Sequence, residues 1–138
     1  MEPIPEVRVL ALAGLLQAAQ FVLMAVPANL ELGPATTLSP RDPARLGRPL
    51  VEQVSPVTGR LHRALSNHFE GLVLFTLAVV ALALSGKATG FTAACAWTYL
   101  AARVLYVPAY ALGLVPWRSV VWFVGWIATV AMMAVAAL

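Results

Sequence analysis

"RLHRALSNHFEGLVLFTLAVVALAL", residues 60 to 84, decides how this chain folds. Its second part, Gly71 to Leu84, carries no charged side chain. As a helix rising 1.5 Å per residue it covers only about 21 Å, short of a hydrocarbon core of roughly 30 Å. A helix that crosses a bilayer here must take in the residues before it, which are Arg60, His62, Arg63, Asn67, His68 and Glu70. The polar block is therefore read as the first half of the span and not as its flank.

The composition agrees. Of the 138 residues, 61% are hydrophobic and 11% charged, against roughly half and a quarter in ordinary soluble domains. The length suits one domain, so residues 1–138 read as a single membrane domain with no separate soluble module. Apolar runs predict four spans, at about 6–26, 58–85, 90–112 and 116–138. The first opens with Glu2 and Glu6 instead of a basic stretch, and its apolar core is too long for a signal peptide, so it reads as a retained helix. The polar linker 27–57 holds Pro27, Pro34, Pro40, Pro43, Pro49 and Pro56, whereas Ser85 to Gly90 and Gly113 to Pro116 read as tight turns. The expected fold is an all-α integral membrane protein built as a four-transmembrane-helix bundle.

Charge sets the expected orientation. Arg41, Arg45 and Arg48 lie in the linker, Arg60 and Arg63 come just after it, and Arg118 falls on the same side, against Lys87 in the opposite loop and Arg8 near the N-terminus. The positive-inside rule places the linker in the cytoplasm and both termini on the outer side. This bias accounts for the net charge of +3 and gives no reason to invoke nucleic acid. Cys95, the lone cysteine, falls within the third span, which excludes a disulfide framework and a cysteine metal motif; it reads as a small buried hydrophobe.

The polar residues of the second span have a pattern. At 100° per residue Arg60, Arg63, Asn67 and Glu70 fall within an arc of about 80°, with both histidines off it. The third span carries Arg103, Tyr106 and Tyr110 at i, i+3, i+7, again one face and at the same depth, and Arg118 opens the fourth span. A carboxylate at such depth requires a partner or a wet cavity. Glu70 and Arg103 are thus expected to pair, with the stripe turned inward and Arg63, Asn67, Tyr106, Tyr110 and Arg118 lining a pocket. Trp97, Trp117, Trp122 and Trp126 are read as interface anchors and packing.

These residues resemble a known family. "RLHRALSNHFE", taken as R-x-x-R-A-x-x-N-x-x-E at the start of a second span, is similar to the signature of the membrane-associated proteins in eicosanoid and glutathione metabolism, the MAPEG family. "ARVLYVPAY" followed by "PWRS" is similar to the family's third helix and the arginine opening its fourth, and "SPRD" at 39–42 resembles the lead-in of short bacterial members. The resemblance implies a homotrimer in a bacterial inner membrane, with glutathione as co-substrate bound between subunits on the cytoplasmic side. It also implies transferase or peroxidase chemistry on small lipophilic substrates, with no metal. Arg63, Asn67 and Glu70 would then hold the peptide part, Glu70 taking the ammonium group, while Arg103, Tyr106 and Tyr110 complete the site. Arg118 would approach the sulfur, with Ser119 as a second donor.

A guanidinium near a thiol favours the thiolate, the nucleophilic form, and so needs no protein nucleophile. Gly71 and Ser66 stand where eicosanoid-producing members often have a tyrosine and a basic residue, and "AVPANLELG" lacks the basic residue some members carry at the end of the first helix. These departures argue against eicosanoid synthesis and leave Arg41, Arg45 and Arg48 as substitutes for gripping the thiol's carboxylates. The competing reading is a non-enzymatic small membrane carrier or binding protein using Glu70 as its intramembrane carboxylate.

Overall fold

The computed structural model describes residues 2–138. Among these the chain is helical with turns and no strand. Four long helices carry the fold: α1 (Pro5–Leu32), α5 (Pro56–Ser85), α6 (Gly90–Ala111) and α7 (Trp117–Ala137). Three short ones, α2 (Pro34–Thr37), α3 (Pro43–Leu46) and α4 (Leu50–Gln53), lie between α1 and α5.

Length and composition make α1, α5 and α7 able to cross a membrane. The fourth long helix, α6, falls outside that set, as the helix that carries Arg103 and three tyrosines, Tyr99, Tyr106 and Tyr110. The outside of the bundle is apolar, with Leu15, Phe21, Val73, Leu77, Leu105 and Ile127 all exposed. A surface of this kind requires a lipid environment.

Contacts at the helix ends fix the chain's course. At one end the buried Glu6 of α1 accepts a hydrogen bond from Thr92 near the start of α6, and Lys87 reaches the carbonyl of Ala136 near the end of α7 at 3.3 Å. At the other end Arg60 Nη1 reaches the carbonyl of Ala111, the last residue of α6, at 3.4 Å. The start of α1, the end of α7 and the α5–α6 turn therefore share one end, and the linker and the α6–α7 turn share the other. The packing is close because small residues meet at the interfaces: Ala13, Ala78, Ala96 and Ala128 are buried around Val9, Phe75, Leu82 and Met132. Phe75 stacks on Tyr99 with ring centroids 4.0 Å apart.

The helix boundaries arise from local chemistry. Ser55 accepts from Thr58 N–H ahead of Pro56, a proline at the first helical position of α5. Thr89 and Thr92 form a reciprocal capping box at the start of α6. The first helix corrects the boundary expected at residue 26: it runs on through Pro27 to Leu32. An interior proline removes one ladder bond and crowds the carbonyl four residues back, which here does not end the helix; α1 stops at Gly33, at φ 81°, followed by Pro34. The linker is likewise not one irregular stretch, because Pro34 and Pro43 each start a helical turn at the position where a missing N–H costs nothing.

Candidate functional site

The rotation of α5 determines which polar groups meet. Its buried residues Ala64, His68, Phe75 and Leu82 define the face turned into the bundle. The polar stripe sits to one side of that face, so the expectation that it turns wholly inward is corrected. Arg60, Asn67 and Gly71 lie on the edge toward α6, whereas Arg63 and Glu70 lie farther round and are exposed. His68 leaves the stripe as its spacing predicts, and the side it enters is the core, where it is 1% exposed.

Arg103 is 3% exposed and projects from α6 into this edge of α5. Its Nη1 donates to Asn67 Oδ1 at 3.0 Å and its Nη2 to the Asn67 carbonyl at 2.7 Å. The expected Glu70–Arg103 pair is thus replaced by Asn67–Arg103. The reason is angular: residues 67 and 71 bracket the line facing α6, and Glu70 points roughly 60–100° away from it. Gly71 makes the contact possible, since a Cβ at that position would lie 2.5 Å from Arg103 Nη2 and 3.2 Å from Cζ. The absent side chain is a notch that receives the guanidinium. Rings close the rest of the seat, with Arg103 Cζ 5.2 Å from the Tyr106 centroid and 5.9 Å from that of Tyr99. Gly125 of α7 packs on the same seat, its would-be Cβ lying 3.5 Å from Ala102 and 4.0 Å from Arg103 Cδ.

In front of this seat a cleft of about 290 Å³ opens among α5, α6 and α7. Asn67, Tyr106, Tyr110, Arg118, Ser119, Trp122 and Phe123 line it. Tyr106 and Tyr110 stand 5.5 Å apart between centroids and are tilted by 57°. Arg118 lies over the Tyr110 ring, its Cζ 4.9 Å from the centroid. This stack holds the guanidinium by its face and leaves its N–H edge for a ligand. The cleft therefore offers one fixed cation, two phenols, a serine hydroxyl and an apolar indole wall.

Of the residues singled out in the sequence, Asn67, Tyr106, Tyr110, Arg118 and Ser119 come together in this cleft. Arg103 lies behind them and holds Asn67. Arg63 and Glu70 do not line the cleft; both are exposed on the outside of the chain. Arg41, Arg45 and Arg48 are absent from its walls too.

Sequence reasoning places Trp122 among the interface anchors and so misses that it forms part of the cleft wall. It lies four residues after Arg118 and so on the same face of α7, a signal that spacing alone carries. Gly71 is missed as well, and no spacing rule could have found it. Trp97, Trp117 and Trp126 are exposed on the outside, where indoles suit a membrane interface.

An apolar helical bundle with helices long enough to span a bilayer defines an α-helical membrane protein, and a guanidinium-bearing cleft lies at its linker end. The chain belongs to the MAPEG family, whose sequence model matches residues 9–138. No curated protein matches the chain.

Proposed function

We propose that this protein is a glutathione-dependent membrane transferase or peroxidase that acts on lipophilic electrophiles. Family membership supports the class, since the family includes glutathione transferases and peroxidases. The observation that carries the reading is the cleft in which Arg118, set over Tyr110, faces Tyr106, Asn67 and Ser119. Glutathione is the co-substrate. Its thiol is mostly protonated at neutral pH with a pKa of about 8.5, and a guanidinium beside it favours the anion. The thiol proton passes to water, and the thiolate then forms a C–S bond with the electrophile while the leaving group, halide for an aryl halide, departs as an anion; the apolar outer surface around Trp122 and Phe123 is the route by which a substrate dissolved in the bilayer arrives.

A cleft of about 290 Å³ lined by one cation and no carboxylate meets the sulfur end and leaves the tripeptide's charged ends without partners of their own. Arg63 and Glu70, exposed beside it, are the groups that would meet the tripeptide's charged ends once a neighbouring subunit covers them. That requirement supports an oligomer, and the resemblance to the family implies that it is a homotrimer. In the same reading α6 is a fourth span, its polar groups facing α5 and α7, and the linker with its arginines lies in the cytoplasm. The carrier reading lacks comparable support, because among the described residues Glu70 lies on the outside and lines none of the five best-formed cavities.

The test is conjugation of a generic aryl halide by the purified protein with glutathione, together with native mass spectrometry of the same sample. Turnover by a trimer supports the proposal. Absence of both glutathione binding and conjugation would remove it.

A further inference from the structure

A second cavity, of about 460 Å³, lies at the linker end on the opposite face of α5. It is enclosed by the last turns of α1, by the linker folded back over them, and by His62 of α5. His62 is about 160° around α5 from Arg60 and about 140° from Asn67. The two cavities share no lining residue, so the helix separates them.

The second cavity is graded from apolar to basic. The part farthest from the end of α1 is walled by Phe21, Met24 and Ala25. Phe21 is exposed on the apolar surface of the bundle and lies about 16 Å from the end of α1, which opens this part toward the bilayer. Its shallow end, at the level of the linker, carries Asn29, Thr37, Arg41 and His62, with no acidic side chain in the lining. Asn29 and Thr37 are occupied with one another, Thr37 Oγ1 donating to Asn29 Oδ1 at 2.5 Å. Arg41 is held in place: its Nε and Nη2 donate to the Thr37 carbonyl at 3.1 and 2.8 Å, which leaves Nη1 unengaged by that carbonyl. Its backbone adopts φ 62°, a left-handed conformation that arginine rarely takes. A fixed cation at the wet mouth of an apolar slot opening to lipid is complementary to one kind of molecule.

We propose that this cavity binds a single-chain anionic amphiphile, a long-chain carboxylate whose head meets Arg41 and whose tail lies between α1 and α4. The volume of about 460 Å³ is in the lower half of the usual range for ligand sites, room for one chain and a compact head and not for a two-chain phospholipid. Apolar lining supplies the attraction for the tail, and a charge-assisted hydrogen bond selects the head. The site is independent of the thiol cleft and of the reaction proposed there.

The experiment uses the full chain in nanodiscs of zwitterionic lipid and a palmitate analogue bearing a terminal diazirine. Illumination and then peptide mapping should place the label on residues 21–28 and 46–51. Unlabelled palmitate should displace it, and hexadecanol and phosphatidylglycerol should each be about tenfold weaker, as expected for loss of a charge-assisted hydrogen bond or of fit. Arg41→Gln should weaken labelling by a similar factor, and Ala25→Phe, which fills the slot from a partly exposed position, should abolish it with helical content retained. Four outcomes would overturn the proposal: label spread evenly over the exposed faces of α6 and α7, hexadecanol or phosphatidylglycerol competing as well as palmitate, unchanged labelling in Arg41→Gln, or persistent labelling in Ala25→Phe.

Discussion

Replacing Gly71 with alanine adds one methyl group, and the position of Arg103 fixes the consequence. The new Cβ would lie 2.5 Å from Arg103 Nη2, roughly 1 Å inside van der Waals contact. The guanidinium cannot simply step aside, since it is 3% exposed and lies against the Tyr99 and Tyr106 rings. It must withdraw from Asn67, and bonds of 3.0 and 2.7 Å are lost once stretched much past about 3.5 Å. Polar contacts between helices in a bilayer contribute about 0.6 kcal/mol on average and up to about 1.7. Two of them amount to a loss of about 1–3 kcal/mol.

Gly14→Ala supplies the reference. Gly14 is exposed on α1 and a Cβ there meets nothing within 4 Å, so this change keeps only the gain in helix propensity, up to about 1 kcal/mol. That gain is common to both sites and cancels in the comparison. Unfolding in mixed micelles, tracked by far-ultraviolet circular dichroism, should therefore find Gly71→Ala less stable than Gly14→Ala by about 1–3 kcal/mol. Equal stability of the two variants would refute the claim that Gly71 is the seat of the Arg103 guanidinium.

Thr92→Val removes the hydroxyl that donates to buried Glu6 and half of the α6 capping box; it should cost about 1–3 kcal/mol in the same unfolding assay, and a neutral result would mean that Glu6 finds another partner. Trp122→Ala opens the cleft wall and should raise KM for bulky aryl electrophiles with little change in glutathione affinity, as stopped-flow kinetics with a series of aryl halides would show. Glu70→Gln and Arg63→Ala touch exposed side chains, so each should leave chain stability within about 0.5 kcal/mol while weakening glutathione binding measured by calorimetry; unchanged binding would detach both from the site.

Apolar runs carried the ends of α5, α6 and α7 to within two residues, and the residues that set those ends, such as Ser55–Pro56 and Thr89–Thr92, act within one turn, whereas Gly33–Pro34 ends α1 at Leu32, beyond the apolar run expected to stop at 26. Spacing also carried which residues share a face. It did not carry how far each helix is rotated about its axis, a property of packing against neighbours. Asn67 and Glu70 lie on the same stripe, yet Ala64, His68 and Phe75 fill the interior, which turns Asn67 toward α6 and Glu70 outward. The partner of Arg103 depended on that rotation. The Gly71 notch was illegible for a related reason, since it is defined by a side chain that is missing and by an arginine 32 residues away along the chain. Trp122 shows a different gap: its spacing from Arg118 was visible, but an indole suits a membrane interface as well as it suits a cleft.

The central claim, that Arg118 turns a bound thiol into a thiolate, is tested most directly by one titration. Glutathione is added to the detergent-purified protein at neutral pH, and thiolate absorbance is monitored in the ultraviolet for the wild type and for Arg118→Ala. The account predicts a saturable rise in the wild type and none in the variant, whose glutathione affinity by calorimetry stays within a few-fold while kcat falls by about 10²–10³. A wild type that binds glutathione without any rise, or a variant that rises as the wild type does, would contradict it.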